Sequence, residues 1–377
     1  MGVNDRSIGF FCSSISWGGL EMNLLKYAQW LHERGWRVVL FCVKNTPIDQ
    51  SHEGMAFAKC HIGRNHKYFD FKNARRAARM FDHYELEYVW ITDTRDMDTA
   101  GIACRRSAIS PTLVYQQAMQ LGVKKKDWIH TMRYRRIDIW IALLPYLRRQ
   151  LHDLTRIDMN KVVEIPLGVD LKSLEYQGTR EQAQLTFRLP SGTTAIGVIG
   201  RFDKLKGQLF VIKAMAKLVE QGLPVHLLIV GESTRNEANT YEQNMREAVA
   251  ALGLTQHVTI HPFIQDVERF YKAVDILAVP SAGETFGMVT IEGMACGCAV
   301  IGTDTSGTPE ILDHGGCGLL YEPDNLNQFV DLCSTLVTHP DKRHELSYKA
   351  TERVHEMYDI NNVLDRIQEE LVSRRKR

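Results

Sequence analysis

The chain has 377 residues, and at roughly 150 residues per domain that length points to two or three domains. Hydrophobic residues make up 44% and charged residues 24%, a composition that supports more than one sizeable core and excludes disordered, collagen-like and coiled-coil classes. The 46 basic and 45 acidic residues leave a formal net charge of +1, so whole-chain charge gives no argument for nucleic-acid binding.

The first apolar run, Ile8 to Cys12, is too short for a signal-peptide core or a membrane span, and no later run reaches the ~18 apolar residues a span needs. It reads as a strand, followed by a loop with Gly18 and Gly19 and then a helix in which Leu20, Leu24, Ala28 and Leu31 recur every three or four residues. A second strand, Val38 to Val43, completes a β-α-β unit. Further buried-type strands are expected at Tyr88 to Thr92, Thr112 to Tyr115, Ile137 to Leu143 and Val162 to Ile165.

After Gly168-Val169-Asp170 the pattern breaks into a polar stretch and restarts. The restart predicts strands at Ala195 to Ile199, Val225 to Val230, Val258 to Ile260, Ile276 to Val279 and Ala299 to Ile301. Helices are expected at Gly207 to Glu220, Asn236 to Leu252, Val267 to Ala273 and Met288 to Cys296. Strands alternating with helices imply mostly parallel sheets covered on both faces. The economical architecture is two Rossmann-like β/α domains, residues 1–168 and 169–357, with a last helix, about 358–377, returning to the first. Ligands of such sheets bind beyond the carboxyl ends of the strands, so two sheets facing each other would make one cleft.

Eight cysteines, none with Cys-x2-Cys spacing, read as reduced thiols rather than as a zinc site or a disulfide scaffold. Two segments carry candidate chemistry. In Gly200-Arg201-Phe202-Asp203-Lys204-Leu205-Lys206-Gly207 a strand passes into a helix, and Arg201 and Lys206 could hold a phosphate beside a helix N-terminus. Solvated loop charges are the alternative. In the second, Glu284 lies in a loop, the helix starts near Gly287, and Glu292 sits about one and a half turns in. Two carboxylates with the amides of Phe286, Gly287 and Met288 between them suit a polyhydroxylated ligand. A helix-terminal acid at Glu284 is the bland alternative.

The Gly18-Gly19 loop, the Gly168-Val169-Asp170 turn, Gly200-Arg201-x4-Lys206-Gly207 and Glu284-x7-Glu292, in this order along the chain, resemble a retaining glycosyltransferase of the GT-B fold, family 4. The resemblance implies that Arg201 and Lys206 hold the diphosphate of a nucleotide-sugar donor in place of a metal, with no cofactor. It implies that Glu292 binds the ribose, and that Glu284 and the amides of Phe286, Gly287 and Met288 grip the donor sugar. Gly18, Gly19 and Gly200 would let backbone approach the ligand, and Glu232, Phe263 and Ile264 would line the base pocket. Uridine diphosphate is preferred over guanosine diphosphate as the carrier. The implied reaction moves a hexose-type sugar onto a hydroxyl of a glycan or lipid-linked acceptor, in cell-surface polysaccharide or lipopolysaccharide synthesis. A nucleotide-sugar epimerase or phosphorylase of similar fold, or a non-catalytic nucleotide-sugar-binding subunit, are the competing readings.

Where relatives carry a first-domain histidine this chain reads Val114-Tyr115-Gln116-Gln117-Ala118, so Gln116 or Gln117 is expected to take the sugar contact. Asp93-Thr94-Arg95-Asp96-Met97-Asp98 reads as a capping or cleft-loop element rather than a metal motif. Between Arg105 and Arg156 eleven Lys or Arg face three Asp, a local balance of +8. Within it Lys124, Lys125, Lys126 and Arg133, interleaved with Trp128, Ile129 and Met132, are candidates for an acceptor or an anionic membrane surface. The chain is accordingly expected in the cytoplasm, with the inner face of the membrane as a peripheral site.

Overall fold

A computed structural model describes residues 6–65, 70–233 and 240–375. The chain divides into two compact units, Met1–Pro166 with Leu364–Arg377, and Leu167–Val363. Among the described residues the first unit holds strands β1 (Ser7–Cys12), β2 (Arg37–Val43), β3 (Ala58–Ile62), β4 (Tyr88–Ile91), β5 (Thr112–Gln117), β6 (Ile139–Ala142) and β7 (Val162–Glu164). They pair in parallel in the order β3-β2-β1-β4-β5-β6-β7. Burial on both faces explains their near-continuous apolar runs: every residue of β1, β4, β5 and β6 is buried. The order reverses between β1 and β4, which makes the carboxyl end of β1 a switch point, and the Gly18-Gly19 loop lies directly after it.

One strand of this sheet escapes the apolar pattern. β3, Ala-Lys-Cys-His-Ile, is an edge strand with no fully buried residue, so it needs no hydrophobic run. Trp36, Trp90 and Trp140 are fully buried in the core, with Tyr27 stacked on Trp90 at 6.0 Å between ring centroids.

The second unit holds β8 (Thr194–Ile199), β9 (Val225–Val230), β10 (Val258–His261), β11 (Ile276–Val279), β12 (Ala299–Thr303) and β13 (Leu319–Tyr321). Their order is β10-β9-β8-β11-β12-β13, again parallel, with the switch between β8 and β11. The expected start of the helix before Leu252 lies partly outside the described residues, which resume at Thr240.

The division between units falls two residues before the expected 168/169 boundary, and the returning segment begins at Leu364 rather than 358. Backbone pairing explains the difference. The Val169 amide donates to Tyr358 O at 2.8 Å and the Ile360 amide to Val169 O at 3.0 Å, so residues 358–363 stay with the second unit. Gly168 is needed there, since a Cβ on it would lie 2.6 Å from Ile360 Cδ1 and 2.9 Å from its Cα. The rest of the helix Ile360–Ser373 packs within the first unit, where Leu371 O accepts from the Tyr88 hydroxyl and Arg34 pairs with Asp365. Among the described residues no helix is long and apolar enough to cross a membrane.

Two expectations about the first unit need correction. Gln116 and Gln117 belong to β5 and are buried, 2% and 1% exposed, rather than following the strand. Gln117 is fully engaged: its Oε1 accepts from Trp140 Nε1 at 3.0 Å and its Nε2 donates to Met119 O at 3.0 Å. The basic segment is also not a uniform surface. Arg133 is only 3% exposed, with Nε 2.8 Å from Asp98 Oδ2 and Nη2 donating to Thr94 O, and Arg136 Nη1 donates to Asp98 Oδ1 at 2.5 Å. Lys124 and Lys126 are exposed, while the backbone amide of Lys125 is tied to Leu154 O.

Asp98 is therefore the counter-ion of two inward-facing guanidinium groups. Removing one member of a buried ion cluster leaves the remaining charges uncompensated, at a cost of about 3–5 kcal/mol. Asp98→Ala should lower the urea midpoint of the first unit by a corresponding amount; a midpoint unchanged from that of the parent would show that the cluster contributes nothing to folding.

Candidate active site

In the second unit the loops at the carboxyl ends of β8 and β11, neighbours across the switch point, are joined by side chains. After β8, Asp203 Oδ1 accepts from the Leu205 amide at 2.8 Å, which organises the short turn Lys204–Lys206. That amide, with the Arg201 guanidinium at 2.8 Å from Asp203 Oδ2, holds the Asp203 carboxyl below its ordinary range. Arg201 is exposed, and its carbonyl accepts from Gln208 Nε2, which fixes the loop to the start of the helix Gln208–Glu220.

Gly207 closes the turn with φ 72°, and a Cβ there would lie 2.8 Å from Pro280 O. Only a glycine fits both the backbone conformation and this contact with the β11 loop. The contact puts Lys206 Nζ 2.7 Å from Glu284 Oε2, both side chains partly buried. The candidate cation and carboxylate, 78 positions apart in sequence, are thus a direct ion pair.

Beyond Glu284 the chain enters the helix Met288–Ala295, whose N-cap, Gly287, offers no side-chain cap. The first amides of a helix lack intrahelical acceptors, so that of Met288 is a donor suited to a ligand, supported by the helix dipole, and Phe286 and Gly287 lead into it from the loop. The Phe286 ring is buried, edge-on to Tyr358, so this residue can offer a ligand only its backbone. Glu292 accepts from the Tyr271 hydroxyl at 2.8 Å. Tyr271 is 1% exposed, and burial together with the Glu292 charge pushes its hydroxyl far above the ordinary range, so it stays a donor. Tyr271 was not singled out in the sequence, where it reads as one more apolar residue of the helix Val267–Ala273. The signal was indirect: a carboxylate between Ile291 and Gly293 needs a donor.

Glu232, exposed after β9, and Phe263 and half-buried Ile264, after β10, occupy the same carboxyl edge. Phe263 is 57% exposed. The Glu232 carbonyl accepts from the Phe202 amide at 2.8 Å, tying the β9 loop to the β8 loop. Gly200, Arg201, Lys206, Glu284, Phe286, Gly287, Met288 and Glu292 are brought to adjacent strand ends; Gly18, Gly19, Gln116, Gln117, Lys124, Lys125, Lys126 and Arg133 lie in the first unit.

The first unit has its own polar crest. Asp96, fully buried, accepts from the Ser13 amide at 3.0 Å, the Ser13 hydroxyl at 2.5 Å and Asn65 Nδ2 at 2.7 Å. Burial pushes its carboxyl up to about 6 against the lowering effect of those donors. Asp93 instead accepts from the amide and side chain of Arg95, so the acidic segment is used within its own domain. Gln116 Nε2 is buried without a partner among the described residues.

Among the described residues Cys42, Asp49 and His61 bring three metal-type ligand atoms within 4.8 Å of one another. Lys59 Nζ already lies 2.7 Å from Asp49 Oδ1, and burial raises the Cys42 thiol to about 12, so the cluster holds its own cation and lacks a ready thiolate. The eight cysteines are all unpaired thiols.

This geometry can be set beside known proteins. The family model described as "Glycosyl transferases group 1" matches residues 180–353, and that described as "Glycosyltransferase Family 4" matches residues 17–173. A D-inositol 3-phosphate glycosyltransferase of Rhodococcus erythropolis is 31% identical over 207 residues, 54% of this chain and 46% of that protein. One of the same name from Corynebacterium jeikeium is 31% identical over 48% of this chain and 44% of its own length. The matches span a little under half the length of these relatives. Among solved structures, a glycosyltransferase from Rickettsia africae superposes with a TM-score of 0.86 at 21% identity, covering 98% of this chain and 99% of that one. Anabaena Alr3699/HepE in complex with UDP gives 0.83 at 18%, covering 98% and 100%. With one family model on each unit, and two parallel Rossmann-like sheets matching these folds, the chain belongs to the family 4 type of GT-B glycosyltransferases.

Proposed function

We propose that the chain is a retaining, metal-independent glycosyltransferase that moves a hexose-type sugar from a nucleoside diphosphate to a hydroxyl of a glycan or lipid-linked acceptor. The observation that carries the reading is the Lys206–Glu284 pair, flanked by Arg201 and by the uncapped start of the helix Met288–Ala295. A diphosphate placed there would meet an ammonium, a guanidinium and free amides, all fixed before it arrives. Such preorganised donors stabilise charge as it develops on the leaving group, each by about 2.7–4 kcal/mol.

In the proposed reaction the bond between the anomeric carbon and the diphosphate oxygen breaks, and a bond to the acceptor oxygen forms on the same face. The acceptor proton passes to the departing phosphate, and no protein nucleophile is needed. Lys206 then exchanges its pairing with Glu284 for the phosphate, which frees Glu284 to accept from sugar hydroxyls. Glu292, held by Tyr271, is oriented to accept from the ribose, and Glu232, Phe263 and Ile264 are assigned to the base. Uridine diphosphate is the proposed carrier; that Alr3699/HepE has been solved with UDP-glucose supports testing it first. In the first unit Gly18 and Gly19 would present bare backbone to a ligand. Gln116, with its free amide, is the better candidate of the two glutamines for an acceptor contact. The inositol-phosphate relatives and the lipopolysaccharide galactosyltransferase WaaB, similar in fold, favour a hydroxyl-rich acceptor in cell-surface glycan synthesis.

Lys206→Ala should lower kcat by about 10²–10³ with a smaller change in donor Kd, read by steady-state transfer and by calorimetry with a panel of nucleotide sugars. Transfer at the parent rate would overturn the assignment. Glu292→Gln keeps an acceptor for Tyr271 while removing the charge, so the fold should persist. Donor affinity should fall by at least about tenfold; an unchanged Kd would remove Glu292 from the site.

A further inference from the structure

We propose, resting on the reading that Gly18 and Gly19 present backbone to a ligand, that Asp96 is a positioning residue whose carboxylate clamps the loop between β1 and the helix Gly19–Glu33. Asp96 opens the helix Asp96–Arg106 after β4, and its side chain reaches two other strand ends. Its Oδ2 accepts from the Ser13 amide at 3.0 Å, and its Oδ1 accepts from the Ser13 hydroxyl at 2.5 Å and from Asn65 Nδ2 at 2.7 Å. Ser13 follows β1 and Asn65 follows β3, so one fully buried group ties the ends of β1, β3 and β4 together.

The loop depends on this clamp. Its root, Ser13 and Ser14, is buried, while Ile15, Ser16 and Trp17 at its tip are open to water. Among the described residues, the hydrogen bonds that tie residues 13–17 to any element beyond β1 are the two from Ser13 to Asp96. Within the loop the Ser16 amide donates to Ser14 Oγ, and Gly18, the N-cap of the following helix, has no side-chain cap. The direction in which Gly18 and Gly19 leave the sheet is therefore set where Ser13 meets Asp96.

The electrostatics favour a working carboxylate over a passive anchor. Among the described residues no ion pair reaches Asp96, since Arg95 is taken by Asp93 and Arg133 by Asp98. The titratable groups around it, Cys12 in β1, Glu21 in the helix Gly19–Glu33 and Asp93 after β4, are a thiol and two acids. A neutral amide would accept two of the three bonds without the cost of burying a charge. Asn65 Oδ1 is buried without a partner among the described residues, so this amide is turned to serve the carboxylate. Burial, with Asp93 adding to it, outweighs the three donors and lifts the carboxyl to about 6. A carboxyl oxygen that carries a proton is a poor acceptor, so protonation removes at least one of the three bonds and loosens the loop. As the pH falls from about 6 toward the ordinary 3.8, proton uptake by Asp96 adds to folding stability, so activity lost through this residue reflects loop release and not unfolding.

The test compares the full chain with its Asp96→Asn and Ser13→Ala variants from about pH 5 to about pH 8, by hydrogen–deuterium exchange of residues 13–19 corrected for intrinsic rate. UDP-glucose turnover, read as UDP release, is followed over the same range. In the parent, exchange of the loop should quicken by about tenfold or more as the pH falls through about 6, and turnover should fall with it by about ten- to a hundredfold. Asp96→Asn should show fast exchange and low turnover at every pH, with unchanged UDP affinity by calorimetry, because the nucleotide is assigned to the second unit. Ser13→Ala keeps the amide bond to Asp96, so it should fall between the two and retain the acid limb. Circular dichroism matching the parent would show that both variants fold. Exchange of residues 13–19 that ignores both pH and Asp96→Asn would overturn the proposal. So would a loosened loop with turnover at the parent rate, or an Asp96→Asn variant that keeps the parent's acid limb, the mark of a merely structural role. A parent that neither binds nor turns over UDP-glucose would count against the donor reading instead, and the exchange profiles would still decide the clamp.

Discussion

A parallel sheet buried on both faces leaves only its strand ends for polar chemistry, and that constraint organises each unit of this chain. The strands β1, β4, β5 and β6 are buried throughout, as are β9, β11 and β12, so none of these segments can carry a solvated ionic group. The side chains with chemical potential therefore gather in the loops after the strands, and the neighbours across a switch point come closest. In the second unit those are the loops after β8 and β11, where Gly207 against Pro280 sets the spacing at which Lys206 reaches Glu284.

The two cations of the candidate site in the second unit are already paired. Lys206 is held by Glu284 and Arg201 by Asp203, each through a contact under 3 Å. Such pairing keeps long side chains ordered and lowers the entropy lost when a ligand binds. At the proposed donor site it would also select the ligand, since only a group with concentrated negative charge can replace a carboxylate as partner to either cation. The uncapped helix start at Gly287 adds donors without adding a competing acceptor. Glu292 follows the same logic from the other side, with one buried tyrosine hydroxyl fixing its direction.

The first unit shows how tertiary packing redistributes a charge count. The +8 segment contributes two guanidinium groups to the interior, around Asp98, and these carry structural rather than surface roles. The helix Phe71–His83 carries four cations against the single acid Asp82, and those cations lie on one open face while the acid is turned to Ser107 and Ile109. Surface charge is a property of direction, and direction is set by what each helix packs against.

The strands, their parallel pairing and the candidate donor loops were legible in the sequence because each depends on local information: apolar runs of strand length, glycine at strand ends, helical spacing of leucine and alanine. β3 was not legible, since an edge strand needs no apolar run. The boundary near residue 168 was legible to within two residues, and what moved it was a backbone ladder to residues 358–360, close to two hundred positions away. The roles of Gln117, Arg133 and Tyr271 depended on partners supplied by other elements, namely Trp140, Asp98 and Glu292. Sequence by itself determined which chemical groups stand at strand ends, because hydrophobic periodicity fixes where strands stop. Only the tertiary structure decided which of those groups face one another, because a buried hydrogen bond or ion pair is settled by packing between segments that share no sequence signal.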